Sequence, residues 1–205
     1  MGDGSTWGAT RGGHHARMNA LIVLGVVVVL VIVLVWWAVA TYNSLVKART
    51  QVDASWAQID VQLKRRHSLI PNLVETVKGY AAHERGTLEA VVAARNAAAQ
   101  AAPAGPAQLA QAEGQLTQAL GRLFALSEAY PDLKANQNFL QLQSELGGTE
   151  EKIAYARQFY NSAVQTYNQK IQTLPANLIA GVGGFQARPY FQAAGGERAD
   201  VNVRF

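Results

Sequence analysis

Residues 18–46 read MNALIVLGVVVVLVIVLVWWAVATYNSLV, a stretch without one charged side chain. Its centre, residues 21–40, is Leu, Ile, Val, Ala and Trp with a single Gly, and as a helix it rises about 30 Å, the thickness of a bilayer's hydrocarbon core. A core helix of a globular domain carries its apolar residues on one stripe, whereas here every face is apolar for about five turns. The pattern predicts one transmembrane helix within residues 18–41. Trp36 and Trp37 near its end, and Tyr42 just beyond, are the expected membrane-interface residues, since amphipathic rings favour the headgroup boundary. Ala38-Val39-Ala40 resembles a signal-peptide cleavage site, but the run exceeds the ~7–15 residues of a usual signal core and favours an uncleaved anchor. A mature protein beginning at Thr41 would overturn that reading.

On the amino-terminal side, residues 1–17 are rich in Gly, Ser and Thr and predict a disordered tail. His14 and His15 have no further ligand types beside them and read as solvated. On the other side neither Gly nor Pro occurs between Val26 and Ile70, so nothing local forces the helix to stop at the membrane surface. It predicts a rigid strut. Leu45, Val52 and Ile59, with Tyr42, Trp56 and Leu63, form heptad stripes interrupted by Arg49, and such stripes need partner helices.

Pro71 predicts a tight reversal, with a kinked continuation as the alternative. A second helix carries Val74, Val77, Ala81, Leu88 and Val91 and runs to Ala102, where Pro103-Ala104-Gly105-Pro106 marks a turn. A third, residues 107–146, shows Leu109, Leu116, Leu120 and Leu123, an interruption at Tyr130-Pro131-Asp132, then Phe139, Leu142 and Leu146. Gly147-Gly148 is expected to end it. In the fourth helix Ile153, Tyr160, Tyr167 and Leu174 are spaced by sevens, until Pro175. The expected fold class is therefore all-α: one transmembrane helix, then an elongated up-and-down four-helix bundle over residues 42–175, its segments about 26–40 residues long. Residues 176–205 form a Gly-rich, aromatic tail whose Phe185, Tyr190 and Phe191 should pack back onto the bundle end. The alternation over residues 200–205 suits a short strand or an extended tail.

The 205 residues suffice for one anchor and one domain. A net charge of +4 is too small and too mixed for a nucleic-acid binder. Without cysteine there is no disulfide, thiolate metal site or cysteine nucleophile. Arg11 and Arg17 before the span balance Lys47 and Arg49 after it, so the basic residues favour neither orientation.

No catalytic, cofactor or metal residues emerge. His83-Glu84-Arg85-Gly86-Thr87 begins like a zinc-binding HExxH helix, but Thr87 stands where the second histidine belongs. Gly181-Val182-Gly183-Gly184 follows a helix and opens no phosphate-cradling strand-to-helix turn. His67 and His83 lie in ordinary helical text with no Ser/His/Asp set. The polar residues of interest fall on or beside apolar stripes: Arg49, Arg66, Glu84, Arg95 and Arg157, with Glu145 and Glu150 near the last turn. Charges turned inward should find each other across helices, as a ligand-binding or switch network, or simply to fix helix register, unless they snorkel to the surface with their stems packed. The repeated Tyr160-Asn161 and Tyr167-Asn168 pairs place two tyrosines on one face, as core or helix-contact aromatics. Lys64-Arg65-Arg66 invites a lipid-headgroup reading, but on a straight helix it stands ~35 Å from the membrane, several Debye lengths away.

The run YNSLVKARTQVDASWAQIDVQLKRRHSLIPNLVETVKGYAAHERGTLEAVVAAR from Tyr42, and the block NFLQLQSELGGTEEKIAYARQFYNSAVQTYNQKIQTLP ending at Pro175, resemble the LemA family. With the anchor in front, the resemblance covers nearly the whole chain. It departs from the commonest pattern in the Ala-Pro-Gln linker of residues 101–112 and in a longer amino-terminal tail. It implies a bacterial-type, membrane-anchored, all-helical bundle. The expected function is a non-enzymatic scaffold or adaptor at the cell membrane, held by the lipid bilayer through residues 18–41, with an unknown protein partner or self-association as a homo-oligomer. A sensor working through the continuous first helix is the alternative, and an enzyme using the Arg/Glu set comes last.

Overall fold

The computed structural model describes the backbone of residues 11–192 and the side chains of residues 18–192. The expected tail before residue 11 and the alternating residues 200–205 lie outside the described residues. The described residues form six α-helices and no strand: α1 (Arg11–Lys78), α2 (Arg85–Ala101), α3 (Pro106–Ser127), α4 (Pro131–Lys134), α5 (Gln137–Gln172) and α6 (Ala176–Val182). The all-α class therefore holds.

α1 is a single 68-residue helix, about 100 Å long. It begins at Arg11, within the stretch expected to be a tail. Its apolar part is long and apolar enough to cross a membrane and is not covered by the other described residues. Further on, Leu45, Val52, Ile59, Leu63, Ile70, Leu73 and Val77 are buried, so the strut becomes one wall of the bundle.

Two expected breaks are absent. α1 does not reverse at Pro71, which sits inside the helix. Proline there removes the N–H that would reach the carbonyl of His67, one reason it breaks helices at a cost of about 3 kcal/mol. Here Arg95 Nε on α2 donates to that carbonyl at 3.0 Å, while Ile70, Leu73 and Val77 are fully buried around it. The reversal comes later, at residues 79–84, where Ala81 is 1% exposed and plugs the turn. Removing the Arg95 side chain (R95A) should therefore cost about 1–2 kcal/mol by leaving the carbonyl unpaired. In a P71A background the cost should shrink, because the backbone N–H restored at that position then bonds the His67 carbonyl; urea unfolding of the four variants checks the coupling.

Nor does Gly147-Gly148 end a helix: α5 runs 36 residues straight through it. Two glycines cost about 2 kcal/mol of helix propensity, less than what Leu146, Thr149 and Ile153 secure by burial on either side. α5 instead starts at Asn136, whose side chain caps it by accepting from Phe139 N at 3.0 Å. The expected turn at residues 103–106 is present, with Gly105 at φ +106° and Pro106 opening α3. The expected interruption at Tyr130-Pro131 is also present, as the short α4.

The helices are not of equal length. α2 and α3 have 17 and 22 residues, shorter than expected, and pair with each other against the half of the α1/α5 hairpin farther from the apolar stretch. One core cluster there joins Ile70, Leu73, Leu88, Val91, Leu116, Leu123, Leu133 and Phe139. The second joins Val52, Ile59, Leu109, Ile153, Tyr160, Val164, Tyr167 and Phe191. Along this nearer half α1 and α5 gain a different cover, the extended strap of residues 185–192. Phe185 meets the ring of Tyr42 edge-on at 5.5 Å and Phe191 that of Trp56 at 5.7 Å. Both aromatics pack back as expected, along the flank of the hairpin rather than on its end, whereas Tyr190 stays 39% exposed.

Candidate functional site

Arg66 follows Leu63 by three residues and precedes Ile70 by four, so it lies on the buried stripe of α1. It is 4% exposed. Its Nη1 reaches Glu113 Oε2 at 3.3 Å, and its Nη2 reaches Thr117 Oγ1 at 2.8 Å and Glu150 Oε2 at 3.0 Å. Glu113, 5% exposed on α3, meets His67 Nε2 through its other oxygen at 2.6 Å. Three helices are thus tied where α2 and α3 cover the hairpin. A buried carboxylate is tolerable only when its lone pairs are used, and both Glu113 oxygens are.

Of the residues expected to form a network, Arg66 and Glu150 join this cluster. Arg95 adjoins it through the His67 carbonyl. Glu145 accepts from Gln141 Nε2 at 3.0 Å and lies 3.9 Å from Arg65, just outside. Glu84 belongs elsewhere, accepting the Tyr130 hydroxyl at 3.0 Å beside the reversal. The Glu84 hydrogen bond, with burial and the carboxylate's charge, pushes the Tyr130 phenol above its ordinary range. Arg49 is exposed on α1 and Arg157 half-buried on α5, and neither joins the cluster. The basic triplet 64–66 is likewise divided: Lys64 pairs with Asp60 on the surface while Arg66 turns inward.

Glu113 and Thr117 were not singled out in the sequence, and His67 was read there as ordinary helical text. A signal existed for Glu113, which sits four residues after Leu109 and three before Leu116, on the buried stripe of α3. Thr117 carried none.

The second polar constellation is the ladder on α5 that holds the strap. Asn168 accepts from Arg188 N and donates to Arg188 O, both at 2.9 Å. Asn161 does the same with Phe191, at 2.9 and 3.2 Å. Tyr167 and Tyr160 donate to the carbonyls of Gln186 and Pro189, each at 2.9 Å. The period matches because seven helical residues rise about 10.5 Å and three extended residues about 10 Å. Each Tyr-Asn pair therefore reads the next tripeptide of strap backbone. Both tyrosines are buried, as expected for core aromatics, but their hydroxyls also dock the strap.

At the lower end Trp36 is 71% exposed and Tyr42 47% exposed, Tyr42 being partly engaged by Phe185, while Trp37 is half-buried. On the face of the hairpin away from the strap, Ala57, Gln58, Val61, Gln62, Glu151, Lys152, Tyr155 and Ala156 line an open groove of about 580 Å³. Val61 is 60% and Tyr155 73% exposed, and Gln62 Oε1 is buried without a hydrogen-bond partner among the described residues. No member of the Arg66 cluster lines it. Among the described residues no set of three metal-ligating side chains converges.

A family model described as "LemA family" matches residues 55–205, from the wall of the hairpin through the strap. Magnetosome protein MamQ 2 of Paramagnetospirillum magneticum is 29% identical over 206 residues, covering 89% of this chain and 74% of that protein. Magnetosome protein MamQ of Magnetospirillum gryphiswaldense is 26% identical over 174 residues, covering 73% and 64%. Protein LemA of Metamycoplasma hominis is 27% identical over 163 residues, covering 78% and 73%. With the family model matched over the helices that carry both constellations, and a long apolar helix in front of them, the chain is a membrane-associated protein that belongs to the LemA family.

Proposed function

We propose that the protein is a single-pass membrane scaffold, without catalysis, which holds a rigid helical bundle on the bilayer and docks an amphipathic helix of a partner protein in the α1/α5 groove. The observation that carries this reading is the contrast between the inside and the outside of the hairpin. Inside, the charged groups of the Arg66 cluster are consumed by one another. Outside, Val61 and Tyr155 present apolar surface in a groove between two antiparallel helices, with Gln62 Oε1 left for a donor. An apolar ridge of a helix fits such a groove, and one hydrogen-bond donor sets its register. The unbroken α1 makes the anchor and the groove parts of one rod. The same continuity favours a second reading, a sensor in which a load on the bundle is felt along α1.

A photoreactive side chain at Tyr155 of the full chain, in its native membrane, tests the scaffold. It should yield an adduct with one other protein that is abolished by V61R and absent from a probe at Gln118 on α3. An adduct only with a second copy makes the groove a self-association face, and no adduct removes the groove from function.

A further inference from the structure

α6 ends the bundle at the level where α1 leaves its apolar stretch. Lys170 Nζ on the last turn of α5 donates to Ser44 Oγ at 3.1 Å. Ala176, opening α6, shares a small cleft with Ala40, Thr41, Ser44 and Leu45. Ala180 is 3% exposed and seats the helix against the bundle. Outward, Leu174 is 75%, Leu178 63% and Val182 94% exposed. The chain has no charged residue from Ile171 to Ala187. Lys47 and Arg49 stand exposed beyond Ala40, about 10–14 Å further along α1, within reach of anionic headgroups.

An uncharged segment that turns large apolar side chains outward would be a liability in water, but beside the end of a transmembrane helix it meets the headgroup–acyl boundary. We propose that Leu174, Leu178 and Val182 form a lipid-inserting foot, on which the bundle stands and which sets the tilt of α1. The proposal rests on residues 18–41 spanning the bilayer. It commits to lipid because the foot continues the apolar surface of the span itself.

The chain lacks cysteine, so single nitroxide labels at V28C in the span, L178C in the foot and Q118C on the distal bundle can be compared in the full chain. The host is vesicles of phosphatidylcholine and phosphatidylglycerol. V28C and L178C should both show a several-fold higher accessibility to oxygen relative to a water-soluble nickel chelate than Q118C. Lipid exposure at V28C with a water-like ratio at L178C overturns the foot and leaves the span standing. Water-like ratios at both sites remove the span as well. A label at L178C shielded from both reagents, with dipolar broadening between copies, assigns the face to a second copy and overturns the lipid proposal.

Discussion

Replacing Arg66 with methionine should destabilise the bundle by about 3–5 kcal/mol, the usual cost of removing one partner from a buried ion pair. Glu113 would be left in a site where its side chain is 6% exposed, with only His67 to bond its carboxyl group. Glu150, 48% exposed, can turn to water and adds little to the loss. The double variant R66M/E113L should recover at least half of that cost, because two apolar side chains of similar bulk leave no uncompensated charge. Thermal and urea unfolding of the full chain in detergent, followed by circular dichroism, measures both. An R66M variant within about 0.5 kcal/mol of the parent, or additive losses in the double variant, would show that the pair is not buried as described.

Removing both asparagines of the α5 ladder, as N161A/N168A, should free the strap while leaving the helices folded. Four side-chain amide hydrogen bonds to the backbone of Arg188 and Phe191 are lost, each worth about 1 kcal/mol. In hydrogen exchange the amides of these two residues should lose protection by roughly tenfold or more, since about 1.4 kcal/mol is a factor of ten. Helical content should stay unchanged. Alkaline pH provides a second route. Burial pushes the Tyr160 phenol above its ordinary value of 10.0, with Asp53 adding to the shift and Arg188 opposing it. A raised value means that the folded state favours the neutral phenol. That contribution is complete below pH 10, the ordinary unfolded value, and is lost as pH rises through the higher folded one, where the ionised oxygen can no longer donate to the Pro189 carbonyl. The strap should loosen there, and Y160F, weaker at neutral pH, should lack the alkaline step. A strap that keeps full protection in N161A/N168A would mean that Phe185 and Phe191 hold it without the ladder.

The features legible in the sequence are those with a local cause. An apolar run of bilayer length, the sevenfold spacing of Ile153, Tyr160 and Tyr167, and the Pro-Ala-Gly-Pro turn each specify their structure within one turn or one face. Arg66 and Glu150 were suspect because a charge beside an apolar stripe needs a partner. The partner itself was hidden: Glu113 and Arg66 are 47 residues apart, and the spacing of neither stripe says which helix faces which.

The sequence by itself determined that this is a cysteine-free helical protein with an apolar span at one end and heptad-patterned helices beyond it, because burial periodicity is written into the order of side chains. Only the tertiary structure decided where the helices stop and what covers them. A proline or two adjacent glycines cost a helix about 2–3 kcal/mol. At Pro71 that cost is offset by a guanidinium from α2, and at Gly147-Gly148 by the apolar side chains packed on both sides. The strap followed the same logic, since a helix repeat of seven and an extended repeat of three come into register only when the two segments lie side by side.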